Sequence, residues 1–421
     1  MALPTTRPVI LRPSGCLTGP VVVFAWHCDH PTGDAGRGDP VDSASAVRTP
    51  LPTLVSMGDR RLEMRRRERL RVLAAAQGGV FSTYDVATVG LSRGRARTLV
   101  RRGEWVPLGP GVLAERDVVD LCSADPRARH VLDIAAVLLR MRAPGVAVAM
   151  SAACLLSLDV PGRPPRRPVI GVPPTPLGRG WATSRQVQRR VTLPAEQLLR
   201  TGGLRCTGPA RTSVDAARTL DFVPALRVVD SALRYYGGGC LYAMRTIAGE
   251  YAGWVGAAGV AAVLDFADLR SESALETVGR VAMREVGLPA PLTQCWVGEF
   301  GPEFRADFGW PDRATIGEAD GRVKYTSPAV LWEQHKREDR LRDLGFEVAR
   351  FGWEAATARR DVLRQRVDTA FERARPGRGR FWPDPPWWRP GLELPGSGAD
   401  GGRDVPWWLL EVDEAATRWS A

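Results

Sequence analysis

Residues 304–320 read FRADFGWPDRATIGEAD. Phe304 to Phe308 has the aromatic and apolar content of a strand. Pro311-Asp312-Arg313 reverses the chain, because proline presets φ and Asp favours turns. Ala314 to Asp320 then returns as a second strand. A hairpin centred on Asp312-Arg313 sets Pro311 opposite Ala314 and, counted outward, Asp307 opposite Glu318. Directly opposed residues share a face of the sheet with Cβ atoms ~5 Å apart. Two carboxylates so close in apolar strands repel unless a cation or a proton separates them. A hard divalent ion with oxygen ligands, Mg²⁺ or Mn²⁺, meets that need; the alternative is that Asp307 and Glu318 each pair with a nearby arginine. The same count opposes Arg305 to Asp320 and predicts an ion pair there.

The flanks extend this pattern. Ser271 to Val286 is a predicted helix with Glu272 and Glu276 at i and i+4, hence on one face. Pro289 and Pro291 end it, Gln294 to Val297 reads as a strand, and Glu299 to Pro302 as a turn. Glu276 is the expected third carboxylate at the metal. Ala329 to Leu344 is a polar helix whose few apolar anchors are Trp332, Leu341 and Leu344. Lys336, Arg337 and Arg340 lie on its remaining surface, which suits a polyanion. Phe346 to Phe351 is a further strand, so the order is αβββαβ. The chain has only two lysines, Lys324 and Lys336, and both fall in this block. An ammonium can shift its pKa, whereas a guanidinium stays charged.

This block resembles the PD-(D/E)XK nuclease superfamily, and within it the very-short-patch-repair-endonuclease-like proteins. The residues that carry the resemblance are Ser271 to Glu276, Gly287-Leu288-Pro289, Arg305 to Phe308, Glu318 to Gly321, and Arg337 to Arg342 before Gly345. The resemblance implies a restriction-endonuclease-like fold, with Asp307, Glu318 and Glu276 as metal ligands. It also implies phosphodiester hydrolysis by a metal-activated water. Lys324 would orient that water or stabilise developing charge, with Lys336 as second choice. The family pattern expects Lys two residues after the Glu, where Asp320 stands here. Related members carry His after the Asp-Gly pair, where this chain has Lys324.

An N-terminal block, residues 57–118, has a different character. Leu62 to Gln77 reads as an Arg-rich helix with Leu70, Val72, Leu73 and Ala76 on or near its apolar side, stopped by Gly78-Gly79. A short helix follows Phe81 and ends at Gly90. Ser92 caps a third, bearing Arg93, Arg95, Arg97 and Arg101. Trp105 to Leu108 and Gly111 to Leu113 flank a Gly-Pro-Gly turn as a β-ribbon. Three helices and a ribbon outline a winged helix-turn-helix, which sets its third helix in a major groove. Residues 57–103 hold twelve Arg against four Asp plus Glu. The candidate DNA contacts are Arg93, Arg95, Arg97 and Arg101 here, with Arg337 and Arg340 in the later block. The stretch resembles the N-terminal domain of AbiEi-type antitoxins through its opening helix, the Phe81-Ser82 helix start, the Gly90-Leu91-Ser92 turn and the ribbon ending in Gly111-Val112. That resemblance implies a toxin–antitoxin setting and a cognate toxin partner.

Composition bounds the rest. The 421 residues carry 58 Lys plus Arg against 47 Asp plus Glu, a net charge of +11, so nucleic acid is an expected partner. No apolar run approaches the ~20 residues of a membrane span. Seven scattered cysteines without a signal peptide predict reduced thiols in a cytoplasm. His27-Cys28-Asp29-His30 lacks a second ligand pair and does not read as a zinc site. No P-loop or dinucleotide fingerprint follows a strand, and Gly237-Gly238-Gly239 reads as a turn.

The expected whole is therefore a multidomain α and α/β protein. Residues 1–56 are a disordered leader, with Met57 or Met64 as an alternative start. The winged helix covers 57–118 and a helical middle domain 119–266. The αβββαβ domain covers 267–375, and a disordered tail rich in Trp and Pro covers 376–421. The expected function is DNA binding joined to a metal-dependent endonuclease-like domain. The alternative is a non-catalytic antitoxin or repressor with a degenerate nuclease fold.

Overall fold

The computed structural model describes residues 57–141, 144–174, 182–320, 328–386 and 388. The first unit contains α1 (Met57–Ala75), β1 (Phe81–Ser82), α2 (Thr83–Thr88), α3 (Arg93–Arg101), β2 (Trp105–Gly109) and β3 (Val112–Glu115). Ser82 and Asp85 form a reciprocal capping box at the start of α2, and Ser92 accepts the Arg95 N–H at the start of α3. Gly90 and Gly103, both at positive φ, close the two helices. The strands form a sheet in the order β1-β3-β2. Beneath it Leu70, Val86, Leu99, Phe81 and Trp105 are buried, the last two rings edge to face at 4.9 Å. The apolar side of α1 is narrower than the sequence reading. Leu70 and Ala74, one turn apart, face the core, while Val72, Leu73 and Ala76, also expected on or near that side, are exposed.

The middle of the chain corrects an expectation. It contains α4 (Arg116–Ser123), α5 (Pro126–Arg140), β4 (Val146–Ala147), α6 (Ala149–Leu155), β5 (Val169–Val172) and β6 (Val187–Arg190). Then come β7 (Leu198–Thr201), β8 (Leu204–Thr207), α7 (Pro209–Thr219), α8 (Phe222–Tyr236), α9 (Gly238–Glu250) and α10 (Ala257–Phe266). Its helices, α4 to α10, agree with the expected helical character of the region. The five-stranded sheet, order β6-β5-β4-β8-β7, does not appear in a reading of this region as helical. Its strands are two to four residues long, too short for alternation to show. Gly237, at φ +72°, makes the expected turn, but Gly238 and Gly239 already belong to α9. Val80, Val112 and Ala114 of the first unit join the core of this second one, so the β-ribbon rests on the middle domain.

The third unit follows the expected order: α11 (Ala274–Glu285), β9 (Leu292–Gly298), β10 (Phe304–Trp310), β11 (Thr315–Ala319), α12 (Pro328–Asp343) and β12 (Glu347–Phe351). After it come α13 (Trp353–Thr357), α14 (Arg360–Arg373) and β13 (Arg380–Trp382). The sheet order is β12-β11-β10-β9-β13, with β11 and β12 parallel and the other pairs antiparallel. Phe308, Phe351 and Leu363 bury α11, α13 and α14 against it. Leu341 of α12 and Leu344, just past its end, pack with Val297, Ile316 and Phe346.

β13 also corrects the expected start of a disordered tail at residue 376. Arg380 to Trp382 add an edge strand to β9. Phe381 lies over Gly309, where any Cβ would stand 2.3 Å from its ring. Asp384 pairs with Arg270, and the Trp388 ring stacks edge-on to Trp296. Two aromatic residues and a sheet edge provide enough buried contact to order what composition alone marks as a tail. The leader, the Met57 or Met64 question for residues before 57, and the remaining tail lie outside the described residues.

The middle and third units meet through a buried charge. Asp230 of α8 accepts from the Asp268 N–H at 2.9 Å, Thr277 Oγ1 at 2.8 Å and Arg280 Nη2 at 2.6 Å, the last two on α11. Burial raises its carboxyl to about 6, while Arg280 draws it down. Removing one partner of a buried ion pair leaves an uncompensated charge. Arg280→Met should therefore cost about 3–5 kcal/mol in urea unfolding, and adding Asp230→Asn should recover part of it. Additive losses in the double variant would show that the pair is not the joint.

Candidate functional site

Two sets of side chains were expected to act, and the structure treats them differently. On α3 the buried Ala96 and Leu99 turn the arginines outward. Arg93, Arg97 and Arg101 are exposed and make no ion pair within 4 Å among the described residues. Arg95 differs from the expectation. It binds Glu63 of α1 through Nε at 2.8 Å and Nη2 at 2.5 Å, so it braces α3 rather than facing outward. Part of the positive charge on α1 is likewise internal: Arg67 pairs with Glu104 and Arg71 with Glu115, both at 2.9 Å.

The second set lies in the third unit. Phe308 pairs with Gly317, Gly309 with Ile316, and Trp310 with Thr315. One further step of that register sets Asp307 opposite Glu318, as the hairpin count requires. Glu276 arrives from α11, almost fully buried. Gln294 of β9, also buried, joins them: its Nε2 donates to Glu276 Oε2 at 2.9 Å and to Asp307 Oδ1 at 3.1 Å. Sequence reading left Gln294 as an ordinary strand residue. Its signal is a polar side chain among strand residues of a core sheet, and its φ of +48° is strained for a non-glycine.

Further N–H donors reach these carboxylates. Asp307 Oδ2 accepts from the Ala319 N–H at 2.8 Å, and Glu276 Oε2 accepts from the Glu272 N–H at 2.9 Å. Arg337 of α12 donates through Nη2 to Glu318 Oε1 at 2.9 Å and to the Arg305 carbonyl at 2.6 Å. Burial, and then the charge of Asp307, push both Glu276 and Glu318 up to about 7; Arg337 and Arg350 pull Glu318 partly back.

Several expected roles shift accordingly. Arg305 pairs with Glu272 at 2.7 Å, not with Asp320, because Asp320 is held by Arg350 at 3.2 Å from the parallel strand β12. Arg337 and Arg340, expected on a free face, are engaged, Arg340 with Glu299 and Glu303. Lys336 is exposed on α12, its Nζ 5.6 Å from the centroid of the Trp332 ring. Lys324 lies outside the described residues.

The donor chemistry of Asp307, Glu318 and Glu276 is that of a magnesium site, but the arrangement described does not fit the ion. N–H groups and a guanidinium engage both oxygens of Asp307 and one oxygen each of Glu276 and Glu318. Among the described residues no group of three or more His, Cys, Asp or Glu is placed to hold a metal. No described helix is long and apolar enough to cross a membrane. The five described cysteines are buried and unpaired.

Residues 68–115 match the family model described as transcriptional regulator, AbiEi antitoxin, and residues 146–241 match the AbiEi antitoxin C-terminal domain. The two matched segments thus lie in the first and middle units, and both end before α11. Two uncharacterized proteins of Mycobacterium tuberculosis, Rv2248 of strain H37Rv and MT2308 of strain CDC 1551, are each 32% identical over 180 residues. The match covers 42% of this chain and 66% of those proteins, just under two thirds of their length. A crystal structure of the RV2827C protein from Mycobacterium tuberculosis is 18% identical, with 48% of this chain and 82% of that one covered. Its TM-score is 0.25, too low to bear on the fold.

The carboxylate centre makes stability depend on pH. A glutamate titrates near ~4.3 when unfolded. A value raised to about 7 means that folding takes up a proton. That contribution is complete below the unfolded value and is lost as pH rises through about 7. The urea midpoint should therefore fall between about pH 5 and pH 8. Asp230, raised to about 6, acts in the same sense. Glu276→Gln should flatten the upper part of that fall; an undiminished slope would place the titration elsewhere.

Proposed function

We propose that this chain is a DNA-binding regulator of the AbiEi antitoxin kind. The first unit is read as a winged helix-turn-helix. α3 enters the major groove with Arg93, Arg97 and Arg101, and the β2–β3 ribbon touches flanking phosphates. The observation that carries this reading is the row of exposed, unpaired guanidinium groups on α3, inside the segment matched by the regulator model. The match of the middle unit to an antitoxin domain adds a cognate toxin protein as the second partner. The setting is the cytoplasm, where DNA is at hand and buried thiols stay reduced.

A second reading concerns the third unit alone. The meeting of Glu276, Asp307 and Glu318 on α11, β10 and β11, in an αβββαβ order, supports a nuclease-like domain that hydrolyses phosphodiesters with Mg²⁺ or Mn²⁺. In the arrangement described, Arg337 holds Glu318, a carboxylate that the ion would need. On this reading Lys324, or as second choice Lys336, the two lysines of the chain, would orient the attacking water or stabilise developing charge.

Two measurements test these readings. Each phosphate contact contributes about 0.9 to the slope of log affinity against log salt. Arg93→Gln with Arg97→Gln should weaken binding to a duplex of about 30 base pairs and reduce that slope by about 2. Unchanged affinity and slope would end the DNA-binding assignment of α3. Incubation with supercoiled plasmid and Mn²⁺ tests the second reading: cleavage that Asp307→Ala abolishes supports it, and identical behaviour of variant and wild type ends it.

A further inference from the structure

A motif seated on the third unit is repeated further along the chain. Residues 384–388 read Asp-Pro-Pro-Trp-Trp and residues 404–408 read Asp-Val-Pro-Trp-Trp. Only the second position differs, and it is apolar in both. The first copy follows β13. Asp384 accepts from Arg270 Nη1 at 3.1 Å and from Nη2 at 2.5 Å. Pro385 is buried. The Trp388 ring lies edge-on to Trp296 at 6.4 Å, with the guanidinium carbons of Arg270 and Arg305 at 5.3 and 5.4 Å from its centroid. The Trp388 N–H donates to the Pro385 carbonyl at 2.9 Å and closes a four-residue turn with Pro386 in its second position. Proline favours that position because its ring presets φ.

The second copy, Asp404–Trp408, lies outside the described residues, but each position that seats the first copy keeps its chemistry there. Asp404 repeats the carboxylate that Arg270 holds through two N–H donors, a pairing with geometric specificity. Val405 repeats the buried apolar position and Pro406 the turn proline. Trp408 repeats the ring beside which two guanidinium groups lie. The receiving surface is built from folded elements. Trp296 of β9 and Arg305 of β10 are ladder partners, and Arg305 is held by Glu272 at 2.7 Å. Arg270, just before α11, donates its backbone N–H to Asp268 at 2.8 Å. Fifteen residues, five of them glycine, separate the two copies, and that length spans up to ~50 Å. One surface is thus within reach of two segments of matching chemistry.

We propose that Arg270, Arg305 and Trp296 form a recognition site for Asp-x-Pro-Trp-Trp segments, and that Asp404–Trp408 of the same chain is its second occupant, exchanging with Asp384–Trp388. The inference depends on neither the DNA-binding reading nor the nuclease-like one. Exchange frees the segment after β13 from the third unit while the site itself stays filled.

The test follows a fluorescein-labelled peptide of residues 402–410 by anisotropy. It is titrated with the full chain, with Asp384→Ala/Trp388→Ala, with Asp404→Ala/Trp408→Ala, and with the combination of all four substitutions. The fourfold variant should bind the peptide. Chains that keep either motif should bind it about tenfold or more weakly, because a tethered segment competes at an effective concentration near ~1 mM. Adding Arg270→Gln to the fourfold variant should abolish binding. A fourfold variant that does not bind overturns the proposal, as does binding that survives Arg270→Gln or that a scrambled peptide equals. Loss of both motifs can loosen β13, so a crosslinking measurement keeps one motif in place. With benzoylphenylalanine in place of Trp408, the Asp384→Ala/Trp388→Ala chain should crosslink within residues 268–272 or 294–305 of the same molecule. Crosslinks elsewhere overturn the proposal. Crosslinks between molecules, with dimers in sedimentation, would assign the second motif to a second copy and overturn exchange within one chain.

Discussion

Three carboxyl groups inside a mostly apolar sheet must be neutralised, and the third unit is arranged around that requirement. Asp307, Glu276 and Glu318 come from a strand, a helix and the adjoining strand, so their repulsion acts on every packing contact between those elements. Gln294 spans two of them with one amide nitrogen, at 2.9 and 3.1 Å. The Ala319 N–H takes the far oxygen of Asp307. Arg337 reaches from α12 to Glu318 and the Arg305 carbonyl, tying α12 to the two strands at their carboxylate end. Burial and the charge of Asp307 raise the carboxyls of Glu276 and Glu318, which favours their protonated forms and lowers the repulsion further. An amide, a backbone N–H, a guanidinium and protons together do what a divalent ion would otherwise do.

Much of this was legible in the sequence because hairpin register is arithmetic. A turn at Asp312-Arg313 fixes Asp307 opposite Glu318, since strand pairing advances one residue on each side. The helix that places Glu276 was legible with the prolines that end it, but α11 begins at Ala274 with Ser273 as its cap, so Glu272, expected on the same helix face, precedes it and meets Glu276 through its backbone N–H. The neutralising partners were not legible. Arg337 lies nineteen residues from Glu318 and Gln294 thirteen from Asp307, and nothing in local spacing says which donor fills a lone pair. Arg305 could have met Asp320 by register alone. It turns to Glu272 because a parallel neighbour, β12, brings Arg350 to Asp320 instead. Parallel pairing across a helix is a long-range choice that no hairpin count contains. The middle sheet escaped for the opposite reason, as strands of two to four residues carry too little pattern.

The arginines show why net charge alone is a poor guide to a nucleic-acid surface. On α1 and α3, Arg67, Arg71 and Arg95 are held by Glu104, Glu115 and Glu63, so part of the local surplus braces the fold. Those pairs fix how α3 sits on α1 and the ribbon. Arg93, Arg97 and Arg101, which have no such partners, are thereby presented on a rigid frame. Preorganisation of this kind matters because ordering long side chains on binding costs entropy. The same distinction separates α3 from the Arg337 and Arg340 face of α12, which is held by carboxylates.

The joint between α8 and α11 connects these two halves of the protein. Thr277 and Arg280 reach Asp230, while Glu276, the residue before Thr277, reaches Gln294 and the carboxylate centre. One helix turn therefore touches both the antitoxin-like middle unit and the centre of the third. Arg227 of α8 lies over the Trp353 ring of α13, and Arg234 donates to the Ser271 carbonyl just before α11, so α8 is braced along its length. A rotation of α11 that moved Glu276 away from Gln294 would also pull Thr277 and Arg280 off a buried aspartate. Because a buried charge without its partner is costly, the two movements are opposed by the same interaction. The position of Glu276 is thus set by the middle unit as much as by its own sheet.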